Sequence, residues 1–183
     1  KTMVLRLGKK RNSVDTLCPH VRLKWTNDIV TILGIDVSTN MENCIRKNMN
    51  SKIDKLNNSL TIWSKRNLTL YGKILIVKTF GLSQLIYVLQ NIPSPTIQVL
   101  KEIEITCFRY IWNQKPDRIK RSILCKDYGE GGLKMKNINC LNKSLKLTWI
   151  NLLLDEKDGA WKKLVHYIYK DIGFLKPVFS NVI

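Results

Sequence analysis

Metal-assisted phosphoryl transfer needs carboxylates gathered around ions held about 4 Å apart. This chain has 14 acidic residues, scattered, with no two aspartates adjacent. Asp28 and Asp36 border a strand pattern and read as turn and surface residues. The five cysteines, Cys18, Cys44, Cys107, Cys125 and Cys140, are odd in number and contain no Cys-x-x-Cys. Only His20 and His166 stand ready to assist them, and Cys18-Pro19-His20 is too sparse for a metal site. Gly-x-Ser-x-Gly, His-Glu-x-x-His and the Walker loop are all missing, and Tyr71-Gly72-Lys73 lacks the glycine spacing of a phosphate cradle. The chain taken alone is therefore expected to be non-catalytic, with no cofactor or metal of its own. Cysteines used this way fit a reducing, intracellular setting, nucleus or cytoplasm.

Positive charge is the abundant resource. Lys and Arg number 31, leaving a net charge of +17 on 183 residues. An excess of that size favours a polyanionic partner, nucleic acid first and an anionic membrane second. Lys47, Lys65, Arg66, Lys73, Lys78, Arg118, Lys120 and Arg121 fall within or just after expected helices. That layout suits contact with a sugar–phosphate backbone, and no compact base-reading set stands out. Lys47, Ser51, Asn58 and Lys65 share the far side of one expected helix, which reads either as a solvated face or as a phosphate-facing one. Trp25, Trp63, Trp112, Trp149 and Trp161 sit mostly on apolar faces and read as core before stacking platform.

Something must position these cations, and 44% apolar residues are enough for a core. Residues 1–7 alternate in polarity, as do Val21, Leu23 and Trp25, and both read as strands. Residues 29–37, IVTILGIDV, form a β-branched run able to return as a hairpin partner. Ser38, Thr39 and Asn40 are capping types, with Glu42 three residues after Thr39. Ile45, Met49, Ile53, Leu56, Leu60 and Trp63 then recur every three or four residues, the stripe of a long helix.

Asn67 is expected to end that helix and Thr69 to cap the next. Residues 70–91 are apolar nearly all round, which predicts the central helix of a bundle, with Gly72 and Gly81 allowing close approach. Lys78 interrupts residues 74–92, so no membrane span is expected. Pro93-Ser94-Pro95 stops this helix, and Ser94 is expected to cap another whose buried side carries Ile97, Leu100, Cys107, Phe108 and Ile111. Residues 113–121, NQKPDRIKR, read as a basic loop and natural hinge, and SILC as a short strand. DYGEGGLKM reads as a chain reversal, because Glu130 opposes a phosphate cradle. Two further helices are expected over 137–154 and from Trp161 to Tyr169.

The fold expected is mainly α (α+β), with a small N-terminal antiparallel β-hairpin sheet, a helical bundle and a small α-rich appendage. The regions are 1–38, 40–113 and 114–183. Lys1 is not a start residue and no secretory signal follows it, so the chain reads as mid-protein sequence.

The order of these motifs resembles the trailing part of LINE-like, non-LTR retrotransposon reverse transcriptases. Lys1-Thr2 before a strand resembles the Lys-Thr pair that follows the catalytic palm strands. Leu33-Gly34-Ile35 resembles the family's Leu-Gly hairpin, the primer grip. Trp63-x-x-Arg66-x-Leu68-x-Leu70-x-Gly72-Lys73, then Lys78, Ser83 and Tyr87, is similar to the thumb helices. Phe108-x-x-x-Trp112 and Gly131-Gly132-Leu133 resemble the segments after the thumb, where Trp149 and Trp161 also have counterparts. The resemblance covers about residues 1–165.

It implies an RNA-directed DNA polymerase fragment whose thumb clamps an RNA–DNA or DNA duplex, with template RNA as a further partner. Lys1 would lie near the nucleotide phosphates, and Leu33, Gly34 and Ile35 at the primer end. The fingers and the Tyr/Phe-x-Asp-Asp aspartates, expected to hold Mg2+ in the intact polymerase, are not in these motifs. Upstream palm and fingers would therefore be partners. Two other readings stay open: a stand-alone helical DNA-binding regulator, and a degenerate transposon-derived protein with no activity.

Overall fold

A computed structural model describes residues 3–5, 24–26, 29–155, 157 and 159–169. Lys1, Cys18, His20 and Asp28 lie outside these residues, as do most of the strand expectations for 1–23 and the pattern ending at Gly173 and Pro177. The described chain is mainly α, with a small β region before the helices. It forms two compact units, Lys1–Leu145 and Lys146–Ile183. The basic stretch 113–121 lies inside the first of them.

Strands β1 (Met3–Leu5) and β2 (Lys24–Thr26) pair in parallel, with Val4 opposite Trp25. Strands β3 (Ile29–Ile32) and β4 (Ile35–Ser38) form the antiparallel hairpin. The run 29–37 thus folds back on itself rather than returning along residues 21–25. Leu33 and Gly34 make the two-residue turn, at φ 49° and 78°. A tight hairpin demands positive φ at both central positions. Gly34 adopts it freely, while Leu33 carries the cost of a left-handed residue with a Cβ.

Helix α1 spans Met41–Ser64. Of the three capping candidates Asn40 is the cap: its Oδ1 accepts the N–H groups of Glu42 at 2.9 Å and Asn43 at 3.2 Å. Cys44, Asn48, Met49, Ile53, Leu56 and Leu60 form its buried stripe, while Lys47 and Lys65 stay on the open side. Thr69 caps α2 (Leu70–Ile76) by accepting the N–H of Gly72 at 3.2 Å. A π-helical turn, Val77–Leu82, leads into α3 (Ser83–Asn91). A Cβ on Gly81 would lie 3.0 Å from Leu56 Cδ1, so this glycine lets the turn press against α1. Gly72 does otherwise: its nearest neighbours are Thr69 and Leu68, in its own cap.

The expectation of an all-round apolar helix needs correction. Ile74, Val77, Leu85, Val88 and Leu89 are buried, but Tyr71, Leu75, Phe80, Ile86 and Tyr87 are exposed. Leu70–Asn91 is long and apolar enough to cross a membrane by length and composition, and half of its most apolar stretch is buried.

Helix α4 (Ile97–Ile111) begins after Thr96, which makes no side-chain capping bond, rather than after Ser94, and Ile97, expected on the buried side, is 49% exposed. Its inner face, Leu100, Ile103, Cys107, Phe108 and Ile111, closes the core against α1 and α2. Each fully buried Leu or Phe side chain contributes about 1.5–3 kcal/mol relative to exposure. The SILC strand expectation also fails. Arg121–Leu124 is a single helical turn, α5, whose Leu124 carbonyl accepts the N–H groups of Leu133 and Met135. A chain reversal joins them through Gly131 at φ 77°. A Cβ on Gly132 would sit 2.0 Å from the Lys126 carbonyl oxygen, so no other residue fits that turn.

Helix α6 (Ile138–Leu154) buries Ile138 and Asn142 in the first unit. In the second unit, Trp149 packs edge-to-face on Trp161 of α7 (Ala160–Tyr169), ring centres 6.2 Å apart. Both tryptophans are 41% exposed, unlike the core reading given to them.

Candidate nucleic-acid interface

The cations expected to face phosphate do not share one surface role. Lys47 is exposed on the outer side of α1, and Arg118 and Lys120 are exposed in the stretch before α5. Lys78 is half-buried on the π-helical turn.

Arg121 is already engaged. Its Nε lies 2.7 Å from Asp117 Oδ2, its Nη1 lies 3.7 Å from Glu104, and its guanidinium covers the Phe108 ring at 4.6 Å. Arg121, expected at a nucleic-acid surface, is thus shared between two carboxylates and a ring. The sequence shows Asp117 four residues before Arg121; only the fold adds Glu104 and Phe108.

Lys73 is engaged more deeply. It is only 8% exposed. Its Nζ donates to Asn113 Oδ1 at 2.6 Å and to the Ile111 carbonyl at 3.4 Å. The acceptors are in place because α4 ends in a left-handed pair, Asn113 at φ 51° and Gln114 at φ 63°. Gln114 N–H returns to the Arg109 carbonyl at 2.8 Å and Asn113 N–H to that of Tyr110 at 3.2 Å, the Schellman pattern with asparagine at its left-handed position. Lys73 thus ties α2 to the end of α4.

The structure nevertheless brings three of the expected cations together. Lys65 and Arg66, in the connection between α1 and α2, and Lys73 line one open cavity of about 510 Å³. Arg66 lies over the Trp63 ring at 4.8 Å, and Trp63 packs on Phe80 at 5.2 Å. Arg109 of α4 lines the same cavity. Sequence reasoning passed over Arg109. The available signal is its place in the last turn of α4, beside Phe108 and Trp112.

The hairpin tip is the second element. Leu33 is 86% exposed, and Tyr87 of α3 donates its hydroxyl to the Leu33 carbonyl at 2.9 Å. Gly34 is exposed beside it, whereas Ile35 is buried and anchors the tip in the core. Two residues past the turn, Asp36 is bound to Asn48 of α1. The hairpin is therefore tied to α3 through Tyr87 and to α1 through Asn48.

Among the described residues, no three His, Cys, Asp or Glu side chains converge on a point where a metal ion would fit. The Mg2+ implied by the resemblance finds no cradle among them. Burial pushes the Tyr110 phenol up, and burial with the nearby Glu104 charge pushes the Cys107 thiol up to about 12, so neither is a ready acid or nucleophile.

No protein-family model matches this chain.

Proposed function

We propose that this chain is the palm-edge, thumb and post-thumb part of a LINE-like reverse transcriptase, working inside the cell on RNA–DNA hybrid with template RNA. In this reading the helical bundle grips paired nucleic acid by its backbone, and catalysis belongs to palm and fingers acting beside it. The membrane plays no part. The observation that carries the reading is the bond from Tyr87 to Leu33. Both belong to the motifs on which the resemblance rests, yet they are 54 residues apart in sequence. A strained, exposed Leu-Gly tip held against a thumb helix is what positioning a primer end requires. A net charge of +17 supplies the long-range attraction.

The test is salt-dependent binding of an RNA–DNA hybrid. With about four to six phosphates contacted, log K should fall against log salt with a slope of about −4 to −5. Reversing Lys47, Arg118 and Lys120 together should flatten the slope while the fold is kept. Binding that ignores salt between roughly 50 and 200 mM rejects the clamp. A single preferred duplex bound about 10³-fold above random sequence would instead mark a sequence-specific regulator.

A further inference from the structure

The cavity between the end of α1, the start of α2 and the end of α4 carries an inference that does not depend on duplex binding. Its walls hold Lys65, Arg66, Lys73 and Arg109, and no Asp or Glu is among its lining residues. None of these four cations is ion-paired to a carboxylate among the described residues. Four like charges around one hollow repel each other unless an anion joins them.

Helix ends do not account for them. Cations near helix C-termini often serve the last carbonyls, but here those carbonyls have other donors. The Trp63 carbonyl accepts the N–H of Arg66, and the Arg109 and Tyr110 carbonyls accept those of Gln114 and Asn113. The heads of Lys65 and Arg109 remain exposed at the cavity. Lys73 differs, being more than nine-tenths buried with two neutral oxygen acceptors for an ammonium that has three N–H donors. Tyr110, 5% exposed and also lining the cavity, has a hydroxyl with no partner among the described residues. A buried ammonium with a spare donor and an orphaned hydroxyl are costly where no ligand comes.

Size and chemistry narrow the ligand. About 510 Å³ falls within the range of small-molecule sites and exceeds what a bare inorganic ion fills. Apart from Leu60 the remaining wall is amide and hydroxyl, including Asn57, Thr61, Asn67 and Thr106, which suits a polar body. A phosphate monoester carries close to two negative charges at neutral pH, and a guanidinium such as Arg109 meets its oxygens two at a time. We propose that this cavity receives a phosphate monoester carried on a nucleotide-sized body, with Arg109, Lys65 and Lys73 on the phosphoryl oxygens and Arg66 at the rim. A free mononucleotide and the 5′-phosphorylated end of a strand share that chemistry.

Calorimetry on the full chain at low salt tests it, using adenosine 5′-monophosphate, adenosine, and a DNA hexamer with or without a 5′-phosphate. The monophosphate should bind at least tenfold tighter than adenosine. Arg109→Gln and, separately, Lys65→Gln should each weaken it at least tenfold, while Lys101→Gln, on the exposed side of α4, should not. A hexamer that gains tenfold from its 5′-phosphate identifies a strand end; equal hexamers with a bound monophosphate identify a free nucleotide. Equal binding of adenosine and its monophosphate, or an Arg109→Gln protein that binds like the parent, overturns the assignment. Loss of hybrid binding with the monophosphate retained would reject the polymerase reading and leave this site standing.

Discussion

Asn48 holds Asp36 through both edges of one amide. Its Oδ1 accepts the Asp36 backbone N–H at 2.9 Å and its Nδ2 donates to the Asp36 carbonyl at 2.7 Å. The same Nδ2 reaches the Cys44 carbonyl at 2.8 Å, and Cys44 Sγ donates to the Asp36 carbonyl at 3.1 Å. A side chain buried in α1 therefore stands where another strand would pair with β4. This fastens the hairpin to the long helix by hydrogen bonds rather than by apolar contact alone.

Asn48→Ala strands the polar groups of Asp36 in a part-buried position, which costs about 1–3 kcal/mol. Urea unfolding should show that loss, with faster amide exchange at Asp36 and Val37. A change under about 0.5 kcal/mol would mean that the hairpin docks without this tie.

Lys73 and Lys65 line one cavity but should behave differently. Lys73→Met removes the donor to Asn113 and Ile111 and should lower stability by about 1–3 kcal/mol. Lys65→Met, at an exposed position, should stay within about 0.5 kcal/mol. Denaturant midpoints for the two proteins compare them directly. Equal midpoints would show that the Lys73 bonds to the end of α4 do not hold the bundle.

Leu33 sits at φ 49° with its side chain in solvent. Asparagine tolerates that backbone better, so Leu33→Asn should raise stability by about 0.5–1 kcal/mol. If the tip serves a primer end, the same change should weaken hybrid binding. A protein both more stable and equally able to bind removes the tip from the proposed interface.

Stability should fall on the alkaline side. The Cys107 thiol is raised to about 12 from an ordinary value of 9.0, by burial first and the Glu104 charge second. Between those values the unfolded chain releases the proton while the folded chain keeps it, so unfolding becomes easier as pH rises. The slope from this thiol is at most about 1.4 kcal/mol per pH unit. Burial raises Tyr110 and Cys125 in the same direction. Below pH 9 this contribution is fully present. Cys107→Ala should flatten the decline between pH 9 and 11 in thermal melts; an unchanged slope would place its cause elsewhere.

What the sequence alone determined is what nearest neighbours along the chain decide. The stripe of α1, the Thr69 cap and the reversal around Gly131 are set by spacings of two to four residues, where side-chain periodicity and backbone freedom act. The same locality misled at the edges, reading residues 29–37 as one strand, giving the α4 cap to Ser94 and a strand to SILC, and it left the α1 cap open among Ser38, Thr39 and Asn40. Tertiary structure decided the fate of the charges. Lys73 and Lys65 are alike as letters, yet one reaches Asn113, 40 residues away, and is buried, while the other stays in solvent. Arg121 is taken up by Glu104 and Phe108, and Arg109 is left free at a cavity wall. A charge keeps or loses its availability according to which oxygens and rings the fold sets within about 4 Å of it, and that distance is fixed by packing between helices rather than by order along the chain.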